Sequence, residues 1–411
     1  MKRWKSFTVF AIVCFALAWT LTARAQEIVI GFSGPLSGPA AEYGQDMVNG
    51  IDMAINEINN AGGITVGGQK YKFRLERLDD KADPTHAVTN ARRLRGNGAI
   101  AVFNGVFSTI AAIGKINEEK GNEFLVMGYT STPKMYDMGN KLLIGITAPP
   151  FTVYADQFVS TAMKKGYKKV AMVVTLGAYG EEWRVYFKDV WTKAGGVITA
   201  DKPANYYTET DFSAPLTAAL ATSPDCILIG GPSATTALIV EQARSMGFKG
   251  GFIIIDQAKL DYMANLLKGY KLMENTIGVA TPMSVPVPAS VPFEKRFKAA
   301  YKRMVTSECF RNYGGMTALA KAIEKAGTTT DVRKIRADFY KALPINGDHI
   351  PTEIFGILES GQLLINGSTQ NVEKGQLTPP IQYFWWVKTD QEWEDIKKVT
   401  KSKANMVRLT N

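Results

Sequence analysis

Residues 34–63, GPLSGPAAEYGQDMVNGIDMAINEINNAGG, decide how this chain is read. The run before them, residues 27–32 (EIVIGF), is β-branched and aromatic, as suits a strand in a sheet covered on both faces. Gly34, Pro35, Ser37, Gly38 and Pro39 then end the strand without bulk, so a ligand has room beside the first N–H groups of the next helix. Met47, Ile51, Ala54, Ile55 and Ile58 recur at three- and four-residue spacing, one buried helical face that stops at Gly62 and Gly63. An ordinary strand-to-helix turn has the same pattern, so the stretch fixes a fold type before a function. Neither GxGxxG nor GxxxxGK[ST] occurs in it, which disfavours a nucleotide phosphate site.

The chain opens with Lys2, Arg3 and Lys5, an apolar run over residues 7–21, and Ala23-Arg24-Ala25. This is the pattern of a secretory signal peptide over residues 1–25, and the run is short for a membrane span. Val13 stands before Cys14 where a lipoprotein needs a small residue, so Cys14 reads as part of the removed segment. An uncleaved anchor is the alternative. Loss of Lys2, Arg3, Lys5 and Arg24 with no acids lowers the formal charge from +10 to +6. With lysines dispersed apart from Lys397, Lys398, Lys401 and Lys403, no nucleic-acid partner is expected. Cys226 and Cys309 are expected as free thiols, and neither they nor His86 and His349 have metal-ligand spacing. No metal, cofactor or catalytic pair is therefore expected.

The remaining 386 residues (411 less 25) exceed what one hydrophobic core usually serves, which predicts two lobes. Strand runs at 71–78, 99–103 and 124–128 alternate with helices, one opened by Asp83-Pro84 and one over about 109–119. After Ala148-Pro149-Pro150 the alternation restarts with helices at 154–164, 181–194 and 234–246 between strands at 168–175, 226–231 and 251–256. Residues 283–292, MSVPVPASVP, read as a connector, followed by helices at 293–305 and 313–326 and by short strands near Phe355, Leu363 and Tyr383. The expected fold class is α/β, with two doubly wound, mostly parallel sheets.

In such sheets ligands sit beyond the carboxyl ends of strands. There the chain offers Phe107-Ser108-Thr109 after one strand and Tyr129-Thr130-Ser131 after the next, hydroxyls suited to a carboxylate. Plain N-capping explains either loop taken alone. Tyr179 follows a strand of the second half, and Asp256 directly follows Ile253, Ile254 and Ile255. A carboxylate at the end of a buried strand wants a cation, either a ligand ammonium or a protein lysine or arginine. Tyr43, Phe107, Tyr129, Phe151 and Tyr179 supply aromatic walls.

Read together, SGPAAEYG with INEINNAGGI, LDDKADPTHAV, GVFST, YTSTP, YGEEW, DFSAPLTAAL and GGPSATTALIVEQARSMGF resemble the branched-chain amino-acid binding proteins of bacterial ABC transporters, a type I periplasmic binding-protein family. The resemblance implies two lobes joined by a three-stranded hinge, with residues 26–147 and 279–353 in the first and 148–278 and 354–411 in the second. It implies carboxylate binding by Ser108 or Thr109 and by Thr130 and Ser131, a backbone contact at Tyr129, a contact from Tyr179, and an ammonium site at Asp256. Tyr43 and Phe107 complete the expected wall. Asp256 stands where the family commonly has Glu, Pro232 replaces an aromatic residue, and the cysteines of a disulfide found in some members are missing. The expected function is therefore capture of a small amino acid or an organic, including aromatic, carboxylate by a monomeric periplasmic protein that delivers it to an inner-membrane ABC permease. A sensory module and an α/β enzyme are the alternatives.

Overall fold

The computed structural model describes residues 26–146 and 149–409. The expected signal peptide at 1–25 and the expected lobe boundary at 147/148 lie outside the described residues. The first sheet contains β1 (Gln26–Gly34), β2 (Ile64–Val66), β3 (Gln69–Asp79), β4 (Ala99–Asn104), β5 (Leu125–Gly128) and β6 (Leu143–Gly145). Its order is β2-β3-β1-β4-β5-β6, parallel except for the β2–β3 hairpin. The order reverses between β1 and β4, so the opening loop and the loop after β4 flank the crevice of a doubly wound sheet.

The second sheet repeats this plan with β7 (Lys169–Val174), β8 (Val197–Asp201), β9 (Cys226–Gly230), β10 (Gly251–Ile254) and β11 (Thr276–Val279), in the order β8-β7-β9-β10-β11. The short pair β12 (Gly356–Ile357) and β13 (Leu363–Leu364) precedes an extension by β14 (Gly367–Glu373), β15 (Gln376–Leu377), β16 (Ile381–Phe384) and β17 (Asn405–Arg408). β-Branched residues of β7, β9 and β10 are buried on both faces, packing Phe252 and Ile254 on one side and Trp183, Phe187 and Ile253 on the other.

The helix Ala41–Asn60 buries the expected Met47, Ile51, Ala54 and Ile55. It packs against the helix Ser307–Ala326, whose first turn lies upstream of the expected start at 313 because Cys309 and Phe310 already face the first lobe's core. The backbones come close. A Cβ at Gly50 would stand 2.4 Å from the Cys309 carbonyl oxygen. The helix expected over 109–119 is shorter, Phe107–Ile113. Beyond it Asn117 exchanges hydrogen bonds with Phe124, turning the chain toward β5. The helix Ser290–Tyr301 begins inside the expected connector, burying Phe293 and Phe297.

Another difference concerns the return to the second lobe, expected at 353/354. Ile354, Leu363 and Ile365 are buried in the first lobe's core, and the chain rejoins the second sheet only at Gly367. Of the C-terminal lysines, Lys397 and Lys398 lie on a helix, Asp390–Val399, opened by a Thr389–Glu392 capping box. No described helix is long and apolar enough to cross a membrane.

The approach at Gly50 yields a stability test. Gly50→Ala forces backbone apart in a packed core and is expected to cost on the order of 1–3 kcal/mol in thermal or urea unfolding. Gly96→Ala, where an added Cβ meets nothing within 4 Å, serves as the control and is expected to melt no lower than the parent. Equal stability of the two variants would contradict the close helix–helix contact.

Candidate functional site

The carboxyl ends of β4, β5 and β10 meet across a cavity of about 370 Å³ between the lobes, lined by Tyr43, Val106, Tyr129, Ser131, Tyr179 and Asp256 among others. Asp256 comes one residue after the buried Ile255. Its Oδ1 accepts hydrogen bonds from the Tyr179 hydroxyl and, at 3.2 Å, from Trp183 Nε1. Trp183 Nε1 also lies 2.9 Å from the Tyr179 hydroxyl oxygen. Burial pushes the Asp256 carboxyl above its usual range, against hydrogen bonds from Ser131 and Tyr179, the charge of Lys259 and a hydrogen bond from Trp183, which favour its charged form. Tyr179 is held far above its ordinary value by burial and by the Asp256 charge.

A cation does stand close by. Lys259 Nζ forms a buried ion pair with Glu308 at 2.9 Å and donates at 2.7 Å to the main-chain carbonyls of Asp256 and Gln257. Glu308 also accepts from the Tyr129 hydroxyl at 3.3 Å. Lys259 is thus engaged elsewhere, and among the described residues no ion pair reaches the Asp256 side chain.

Several contacts hold the lobes together over this cavity. The Ser131 and Tyr179 hydroxyls lie 3.3 Å apart, Thr132 donates to Glu182, and the Ala234 N–H donates to Glu42 Oε1 at 3.0 Å. Ala234 is in the first turn of the helix Ser233–Ser245, where a carboxylate is favoured. Burial nevertheless raises Glu42 from 4.5 to about 8, with Asp46 and Glu308 adding repulsion.

The expected residues divide. Tyr43, Phe107, Tyr129, Thr130, Ser131, Tyr179 and Asp256 line the cavity together. Ser108 lines an adjoining cavity with Tyr179 and Tyr207. The Thr109 hydroxyl instead turns inward, donating to Asn104 Oδ1 at 2.7 Å and back to the Val106 carbonyl at 2.8 Å within its own helix turn. At Tyr129 the backbone N–H is already bonded to the Asn104 carbonyl at 2.8 Å. The Tyr43 hydroxyl donates to the Gly105 carbonyl at 2.9 Å, so this ring serves as wall and brace. Phe151 packs on Trp183 with ring centroids 4.9 Å apart, away from the central cavity.

Trp183, Lys259, Glu308 and Glu42 were not anticipated. Trp183 follows Tyr179 by four residues and shares its helix face, a spacing that makes it findable. Lys259, Glu308 and Glu42 meet their partners only through the tertiary fold.

The chain has relatives among known proteins. The family model described as periplasmic binding protein matches residues 27–368. A Leu/Ile/Val-binding protein of Rhizobium johnstonii is 29% identical over 355 residues, covering 84% of this chain and 91% of that protein. A leucine-, isoleucine-, valine-, threonine- and alanine-binding protein of Pseudomonas aeruginosa is 26% identical, covering 87% of this chain and 92% of that one. Among solved structures, a leucine-binding protein of Thermotoga maritima superposes with a TM-score of 0.71 at 24% identity, covering 85% of this chain and 97% of that chain. A solute-binding protein of R. palustris in complex with benzoate gives 0.70 at 17% identity, covering 86% and 95%. Matched over most of its length and built as two lobes around a cleft, the chain belongs to the periplasmic binding protein family.

Proposed function

We propose that this protein is the substrate-binding component of an ABC importer and that it captures a small amino acid between its lobes. The observation that carries this reading is the Asp256 carboxylate, which lies in the cleft with neutral hydrogen-bond donors and no ion pair among the described residues. A ligand ammonium supplies the missing charge. The Ser131 and Ser108 hydroxyls, with Thr130, provide the carboxylate side of the ligand on the first lobe. The names of the curated relatives support an amino acid as the ligand class. The site works in the periplasm, on a monomer, and delivers its ligand to an inner-membrane permease. It captures and releases without catalysing a reaction.

Closure follows from where the groups sit. Asp256 and Tyr179 belong to the second lobe, Ser108 and Ser131 to the first, so a ligand touches all of them only when the lobes meet. Charge-assisted hydrogen bonds of about 1.5–3 kcal/mol each, made in the closed state alone, shift the equilibrium toward it.

Asp256→Ala is expected to weaken binding of the tightest amino acid in a calorimetric panel by roughly 10- to 150-fold, the equivalent of one such bond. Unchanged affinity would remove the ammonium role, and a panel in which only nitrogen-free aromatic carboxylates bind would replace the amino-acid reading.

Acidity supplies a second test. Glu42, raised to about 8 by burial in the closed arrangement, is held there preferentially as the neutral acid. Its contribution to closure is therefore full below about 4.5 and is lost as pH rises through about 8. Between those limits Glu42→Gln, which stays neutral, is expected to lose less affinity with rising pH than the parent. Parallel pH profiles for the two proteins would contradict a titrating contact between Glu42 and Ala234.

A further inference from the structure

A second cavity adjoins the first on the hinge side. Tyr129, Asp256 and Lys259 line both. The hinge-side cavity, about 690 Å³ counting its opening to solvent, is also lined by Arg311, Thr352, Asn366 and Gln382.

Arg311 is the unusual member. It lies on the helix Ser307–Ala326, part-buried, and its guanidinium donates to Thr352 Oγ1 and to the Asn366 carbonyl at 3.2 Å. Among the described residues no carboxylate forms an ion pair with it. A guanidinium carries five N–H donors in a fixed plane, so two neutral acceptors leave most of its capacity unused. Burial lowers its affinity for a proton, with only Tyr154 and Tyr129 opposing that fall. The other cations near the cleft are matched: Lys259 pairs with Glu308, and Arg303 with Asp46. Glu353, the other acid lining the cavity, accepts from the Thr400 hydroxyl at 2.6 Å and the Lys401 N–H at 2.7 Å, so both its oxygens are engaged by the C-terminal segment.

Gln382 lies in the same cavity. Its side chain is buried, and Oε1 has no hydrogen-bond partner. The Arg311 guanidinium, facing this cavity with two neutral acceptors and no ion pair among the described residues, suits an anion. Bidentate pairing with a carboxylate is the arrangement for which arginine is suited.

We infer that the hinge-side cavity is an anion-accepting subsite in which Arg311 binds a carboxylate at the far end of the ligand, so that the preferred ligands are amino acids with an acidic side chain. This rests on the reading of Asp256 as the ammonium site. The cleft then holds one unpaired carboxylate at Asp256 and one unpaired guanidinium at Arg311, a pattern that a purely aliphatic side chain leaves half answered. A leucine-like side chain would place methyl groups against a guanidinium and leave its charge without a partner, at a desolvation cost.

Calorimetry with three six-carbon probes separates the possibilities. L-2-Aminoadipate and L-norleucine differ by a terminal carboxylate in place of a methyl group, and adipate has both carboxylates without the amino group. The parent protein is expected to bind L-2-aminoadipate at least tenfold more tightly than L-norleucine, and Arg311→Met to abolish that preference while still binding L-norleucine. Arg311→Lys, which keeps the charge and loses the fork, is expected to keep part of it. Norleucine bound as tightly as aminoadipate by the parent, or a preference that survives Arg311→Met, overturns the subsite and leaves the amino-acid reading standing. Adipate bound as tightly as aminoadipate, with loss in Arg311→Met, keeps the subsite and overturns the ammonium role of Asp256. Binding of none of the three overturns the subsite, and leucine or phenylalanine binding then decides the amino-acid reading separately. Should Arg311→Met fail to fold, the comparison of norleucine with aminoadipate on the parent protein decides alone.

Discussion

A carboxylate placed at the end of a buried strand is costly unless hydrogen bonds or a cation offset its desolvation. Asp256 meets the first requirement with Tyr179, Trp183 and Ser131 and leaves the second open. Much of the cleft is arranged around that imbalance. Tyr179 and Trp183 come from one helix of the second lobe, whereas Ser131 reaches Tyr179 from the first. Lys259, the nearest cation, is drawn away by Glu308. A positively charged ligand group therefore completes an interaction that the protein builds most of the way.

The fold makes this possible by using one plan twice. Each sheet reverses its strand order next to its first strand, and the loops at the reversal carry small residues or hydroxyls. In the first lobe these are the stretch after β1 and the Gly105–Phe107 turn, where a Cβ on Gly105 would stand 2.4 Å from the Met47 sulfur. Backbone can come near the cleft there only without a side chain. The contact between Glu42 and Ala234 joins the opening helix to a helix of the other lobe, so the same stretch that begins the fold also takes part in closing it.

The sequence was legible where a local signal and the physics coincide. Strands such as β7, β9 and β10 are buried on both faces and read as continuous apolar runs, and the site loops follow from their carboxyl ends. Asp256 was visible because a charge directly after three isoleucines demands an explanation. Its partners were harder to see. Lys259–Glu308 and Glu42–Ala234 join residues far apart in sequence, and the lysine and glutamates involved look like ordinary solvated residues of helices and turns. Thr109 illustrates the opposite error, since a hydroxyl in a promising loop proved to be spent on Asn104 and the Val106 carbonyl. The late return to the second lobe was hidden because residues 354–365 carry apolar side chains that suit either core.

The direct test of the central claim is a crystal structure of the protein with the tightest-binding member of an amino-acid and aromatic-carboxylate panel. The account predicts closed lobes with a ligand nitrogen about 3 Å from an Asp256 carboxylate oxygen. A ligand bound in the cleft with no cationic group at Asp256, its carboxylate still held only by Tyr179, Trp183 and Ser131, would contradict it.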